Sequence, residues 1–357
     1  NLVYLEELKI NNNPIKSIDM SVFSNLSNLR YLDVSENSLE SINLNIGNKI
    51  NVVGINLYKN FLTELNGDFG DLPDLMKINL GFNLIQTILS KTFFNLTKLT
   101  GLNLESNRIA KIETNAFLFL VNLEEINLNN NYLKTIDASM FDKINNLQII
   151  SLDGNLLTKI MANSFVSLKI QSLTIEKQMI DSIDSGAIIN CKYLDRFSLN
   201  NNLIRRISPG FLNNLPSLKE INLEENFIEE LVNDNFGRLD NLNKLYLGQN
   251  HITSIQPGAF INLNNLKTLV LSSNYIQELY SDMFIGLNNL EDLSLWNIHL
   301  NAISPSSFQH LKNLIWLRLH HNLLREITSN MFKGLLKLEN LDLSDNMIIS
   351  ISNGSFD

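Results

Sequence analysis

A short phrase, L-x-x-L-x-L-x-x-N, recurs along the whole chain at nearly constant spacing, and no other feature restricts the fold so strongly. Its copies begin at Leu5, Leu29, Val52, Leu75, Leu99, Leu123, Leu147, Ile170, Leu194, Leu218, Leu242, Leu266, Leu290, Leu314 and Leu338. Eleven of the fourteen spacings are 24 residues and three are 23. A fixed period of this size marks stacked repeats, each burying its apolar side against its neighbours. Within the phrase the leucines alternate with variable residues, which predicts a short strand with leucine inward and the variable residues outward. An asparagine then ends the strand in most copies, from Asn13 and Asn37 through Asn322 and Asn346. A carboxamide holds donors and an acceptor together, so it can satisfy turn backbone in its own repeat and in the next. A phenylalanine follows on the return side, from Phe23 to Phe356, and these rings are expected to stack as a spine. Gly47 and Ile188 depart from the spine, and Gln178 and Ile298 from the asparagine ladder. For Ile298 the expectation is a loosened turn or the recruitment of Asn297 in its place.

The unit Leu99 to Asn122, LTGLNLESNRIAKIETNAFLFLVN, carries the full pattern L-x-x-L-x-L-x-x-N-x-I/L-x-x-I/L-x-x-x-x-F-x-x-L. This pattern resembles the leucine-rich repeat family, specifically its 24-residue "typical" subclass, known from Toll-like receptor ectodomains and insect immune and cell-surface proteins. Neither the G-x-I-P segment of the plant subclass nor the double L-P of the common bacterial one is present. The resemblance implies an α/β solenoid: a curved horseshoe of about 15 repeats, with a parallel sheet on the concave face, a Phe spine and an Asn ladder. One domain is expected over residues 1–357, with a change of curvature at the irregular stretch 165–191. Family ectodomains usually carry Cys-rich caps, which this chain lacks, so a fragment whose caps lie outside this sequence is expected.

The chain is 44% apolar and only 18% charged, and 56 asparagines carry much of its polarity. A net charge of -9 argues against a nucleic-acid partner. No apolar run approaches the ~18 residues of a membrane span, so no membrane contact is expected from this segment. Cys191, the single cysteine, falls near a spine slot and reads as a small buried hydrophobe. No catalytic motif is found, and the adjacent His320 and His321 should point to opposite sides of a strand rather than pair on a metal. The chain therefore reads as a non-enzyme with no cofactor and no metal. Glycosylation sequons stand at Asn25, Asn95 and Asn353, none on an outward strand position.

Function is then sought on the outward strand positions, at offsets 2, 4 and 6 from each start. The central repeats place Glu105, Glu125, Asp153, Glu176, Glu220 and Glu224 there as an acidic strip, opposed by Arg196, suited to solubility or to steering a basic partner. Near the C-terminus both tryptophans, Trp296 and Trp316, fall on outward positions of consecutive repeats. Trp296 should neighbour His320; Trp316 should flank Asp292 and Asn340; Arg318 should sit between Ser294 and Asp342, with Tyr246 further along the same row. Trp, Tyr and Arg are enriched in binding hot spots. The family resemblance implies non-catalytic recognition of a protein or microbial ligand on the concave face, by an extracellular or cell-surface ectodomain in innate immunity. Two alternatives stay open: an adhesion scaffold forming homo- or hetero-dimers, and a secreted effector acting inside a host cell.

Overall fold

The computed structural model describes residues 2–43, 50–65, 69, 72–141, 143–212 and 214–356; the departure at Gly47 lies outside them. Two compact units are present: residues 1–157 with 164–175, and residues 158–163 with 176–357.

In the first unit each phrase forms one three-residue strand: Glu7–Lys9, Tyr31–Asp33, Gly54–Asn56, Lys77–Asn79, Gly101–Asn103, Glu125–Asn127, Ile149–Ser151 and Ser172–Thr174. Neighbours pair in parallel with equal offsets opposite each other, as in Gly54↔Lys77↔Gly101↔Glu125. The second unit repeats the scheme with Arg196–Ser198, Glu220–Asn222, Lys244–Tyr246, Thr268–Val270, Asp292–Ser294, Trp316–Arg318 and Asn340–Asp342. Register is unambiguous because a one-residue slip would turn every leucine out to solvent.

The strands are short because the backbone reverses soon after them. The residue before each ladder position adopts a left-handed φ of 51–59°, from Asn12 to Asp345, and only the repeat at Leu147 places a glycine there, Gly154 with φ 65°. The ladder asparagine completes the turn. Asn107 donates from Nδ2 to the carbonyls of Leu80 (2.9 Å), Leu104 (3.1 Å) and Glu105 (3.2 Å), while its Oδ1 accepts from Ile85 N–H at 3.0 Å. The same four-bond set recurs at Asn83, Asn131, Asn226, Asn250 and Asn274. Each buried amide thus ties two repeats together with no polar atom left over.

On the return side the spine rings pack nearly parallel. Phe93, Phe117, Phe141 and Phe165 follow Phe69 at centroid spacings of 6.1–6.4 Å in the first unit. Phe284, Phe308, Phe332 and Phe356 continue at 5.8–6.3 Å in the second. Ile188 occupies its spine slot fully buried, and Cys191 is buried as a small apolar group. The helical share of the fold is confined, among the described residues, to two single 3-10 turns, Met20–Phe23 and Ala138–Phe141. Short strand pairs such as Glu278–Leu279 with Ala302–Ile303 alternate with turns after the main strands.

Candidate recognition surface

The outward strand positions of the second unit bring most of the expected residues together. Register sets Asp292 opposite Trp316, Ser294 opposite Arg318, Trp316 opposite Asn340 and Arg318 opposite Asp342. Trp296 stacks flat on His320, with centroids 5.6 Å apart and planes 6° apart. The Arg318 guanidinium lies 5.5 Å from the Trp316 ring centroid and is paired through Nη1 with Asp292 Oδ1. Arginine over an aromatic face gains from the ring quadrupole, and pairing with Asp292 fixes its direction. Trp316 remains 45% exposed, whereas Trp296 is half-buried by its histidine neighbour. Tyr246 belongs to the same row but stands three strands from Arg318, roughly 14 Å away at ~4.8 Å per strand. It lies beside Lys244, Glu220 and Glu224, and burial pushes its hydroxyl above the ordinary tyrosine range.

Two local expectations are corrected. His320 and His321 do not face opposite sides, because His321 is the left-handed residue of its repeat and turns back, so the two rings meet edge-on at 5.3 Å. Asn297 does not replace the missing ladder amide; its Nδ2 reaches Ser273 Oγ at 3.4 Å, while Ile298 fills the ladder slot as a buried side chain. The adjustment falls on His299. It adopts a second left-handed φ, 62°, and its Nδ1 lies 3.3 Å from the Asn274 carbonyl. Asn322 Oδ1 accepts from Ile298 N–H as well as from its regular donor Leu300 N–H, both at 3.0 Å.

Electrostatically the patch is balanced. Asp342 Oδ1 accepts from Ser344 Oγ at 2.6 Å and Ser344 N–H at 3.0 Å, and Oδ2 lies 3.1 Å from His320 Nδ1 without hydrogen-bond alignment. The Ser344 hydrogen bonds, aided by the nearby His320 and His321, hold the Asp342 carboxyl below the ordinary carboxylate range. A lowered folded-state pKa contributes stability above the unfolded value near ~4, which is lost as pH falls through the folded value. A carbon-detected titration should place the Asp342 midpoint below that of ordinary exposed aspartates, and Ser344→Ala should raise it. A midpoint that Ser344→Ala leaves unmoved would refute the hydrogen bonds as the cause.

The acidic strip is knit into its own surroundings. In the first unit Glu105 accepts from Asn127 Nδ2 at 3.3 Å and Asp153 from Thr174 Oγ1 at 3.1 Å. In the second, Glu176 accepts from Ser198 Oγ and Glu220 pairs with Lys244 at 3.7 Å. Burial, then the neighbouring Glu225, push the Glu224 carboxyl above its ordinary range. Glu125 keeps an exposed carboxylate. The sequon residues Asn25, Asn95 and Asn353 are all exposed and off the outward strand positions.

Two features went unread in the sequence. A groove of about 610 Å³ opens on the first unit's strand face, over Tyr31, Gly54, Lys77, Gly101 and Glu125. Its signal was two outward glycines inside strand patterns, a mark of open space over the backbone. The second is a row of rings on the turn after the strands: Phe227, His251, Tyr275 and His299, 4.9–5.7 Å apart. Aromatic residues at the position after the ladder slot in four successive copies announce it.

Two leucine-rich repeat family models match the chain: "Leucine rich repeat" at residues 3–46, 240–297, 288–348 and 317–357, and "BspA type Leucine rich repeat region (6 copies)" at 66–195 and 110–243. No curated protein matches by sequence. Among solved structures, a leucine-rich repeat protein of Leptospira interrogans superposes with a TM-score of 0.75 at 24% identity, covering 99% of this chain and 87% of that one. Drosophila Toll, in complex with Spatzle, gives 0.69 at 20% identity, covering 93% of this chain and 49% of Toll. TLR13, in complex with ssRNA13, gives 0.62 at 21%, covering 94% and 62%. At these identities the likeness concerns the fold. The chain spans about half of Toll's length.

Proposed function

Because the chain belongs to the leucine-rich repeat family, we propose that it is a non-catalytic recognition module that captures a protein or microbial ligand on the outward strand face of its second unit. The observation that carries this reading is the Trp296–His320 and Trp316–Arg318–Asp292 cluster. Large aromatic and guanidinium groups are displayed there on an open sheet, although the core packs without them. Such residues dominate binding energy where a partner covers them. The same-fold neighbours Toll and TLR13, each in complex with a partner, support recognition as the use of the fold. A net charge of -9 favours a protein over a nucleic acid as partner. The extracellular, innate-immune setting is part of the same proposal. It draws on the family resemblance and on three exposed sequons whose glycans would leave this face clear.

Both tryptophans of the chain lie in this cluster, so tryptophan emission is a built-in reporter of its occupancy. Titrating the chain with secreted proteins and microbial surface fractions should yield a partner that shifts the emission. Its affinity should drop at least ~100-fold in the Trp296→Ala, Trp316→Ala double variant, the scale of two hot-spot losses. A partner bound equally well by the correctly folded double variant would remove the cluster from the reading. A concentration-dependent homodimer with the same emission shift would instead favour the adhesion alternative.

A further inference from the structure

The groove belongs to the first unit, the tryptophan cluster to the second, and the two differ in chemistry. Its strands run Tyr31, Gly54, Lys77, Gly101, Glu125 in adjacent register. Lysine therefore stands between two positions that bear no side chain. The nearest atoms over each glycine come from its far side. A Cβ on Gly54 would meet the Tyr31 ring at 3.0 Å, and one on Gly101 would meet Glu125 Oε1 at 2.9 Å. Tyrosine and glutamate thus lean inward as side walls, with Lys77 on the strand between the two glycines.

The floor supplies further donors. In the next row, the Oδ1 atoms of Asn56, Asn79 and Asn103 accept from the backbone N–H two residues on, at 3.2, 3.1 and 3.0 Å. That engages each carboxamide through its oxygen and leaves its Nδ2 for another partner. Asn103 gives its Nδ2 to Asn79 Oδ1 at 3.0 Å. Among the described residues, the Nδ2 groups of Asn56 and Asn79 and the ammonium of Lys77 have no acceptor or ion-pair partner. An ammonium and two amide donors at the centre of a groove match a carboxylate. Lys9, paired with Glu7 at 2.9 Å, also lines the groove, and Asp33 and Glu125 add negative charge that disfavours a dianion or a polyanion there.

We propose that the groove between Tyr31 and Glu125 seats one acidic side chain of an extended peptide segment, its carboxylate on Lys77 Nζ and the Asn56 and Asn79 amides. Four strand spacings from Tyr31 to Glu125 make roughly 19 Å, the length of about six extended residues. Glu125 then faces backbone N–H groups or a basic residue of the same segment.

Two pools of dye-labelled hexapeptides, each with five random positions and either Asp or Asn fixed at the third, test this on the full chain. The Asp pool should be retained at least about tenfold better than the Asn pool, the scale of one charge-assisted hydrogen bond. Lys77→Met, an exposed change that leaves the core alone, should abolish that difference. Gly101→Val should weaken both pools by filling the groove, and Gly54→Val serves the same purpose if Gly101→Val fails to fold. Equal retention of the two pools by the unmodified chain overturns the proposal, as does a difference that survives in Lys77→Met. Displacement of the Asp pool by millimolar inorganic phosphate overturns the peptide assignment in favour of a simple anion site. Because the tryptophans lie in the other unit, their emission should stay unchanged throughout.

Discussion

Phe308→Ala should lower the unfolding free energy by about 4 kcal/mol, the usual cost of emptying a buried phenylalanine site. The ring is fully buried and stacks on Phe284 and on Phe332, each at 6.3 Å. Its removal opens a void shared by three repeats, and neither flanking ring can close it without leaving its own stack. Relaxation therefore recovers little. Phe308→Leu, which refills most of the volume, should cost under about 2 kcal/mol. Urea titration followed by tryptophan emission measures both, since Trp296 and Trp316 belong to the same unit. A loss no larger than the ~0.5 kcal/mol of an ordinary surface change would mean that the spine does not hold the repeats together.

Asn250→Ile should cost about 2–3 kcal/mol, because one buried donor loses its acceptor. The three carbonyls served by Asn250 Nδ2 each keep another donor: Leu223 O has Asn226 Nδ2, Leu247 O has Asn274 Nδ2, and Gly248 O has Glu225 N–H. Only Ile228 N–H, which donates to Asn250 Oδ1 at 3.0 Å, is left inside the protein without an acceptor. Leaving a buried donor unmet costs ~1–3 kcal/mol, and the lost amide bonds add to that. At Ile298, where the slot holds no amide, the matching donor is Ile276 N–H, and neither His299, whose Nδ1 lies by the Asn274 carbonyl, nor Asn322, whose Oδ1 takes Ile298 N–H and Leu300 N–H, accepts from it. Hydrogen exchange should show Ile228 N–H losing protection first. Unchanged protection there would place the cost elsewhere.

Most of this architecture could be read from the residues because every position is stated many times. A leucine that recurs inward in successive copies leaves one register, and that register alone predicts that Trp296 meets His320 and that Trp316 lies beside Asp292. Choices between equivalent partners were not legible. Arg318 lies between strands that carry Asp292 and Asp342, and it pairs with Asp292 while its guanidinium lies over Trp316. The groove escaped notice because it is made of missing side chains. Gly54 and Gly101 look like weak strand residues until their neighbours' lean is known. The adjustment at His299 depends on a backbone angle, and histidine as a residue type does not announce a left-handed φ.

The left-handed residue before each ladder position bears on how this chain could be altered. Side chains in that conformation cost ~1–2 kcal/mol apiece relative to glycine, and nearly every repeat carries one, as Glu36, Lys59, Gln249 and Asp345 do. Gly154 shows that glycine serves the same bend. The array therefore holds a reserve of thermal tolerance, dispersed in small equal parts at its turn tips and separable from the strand face that would meet a partner.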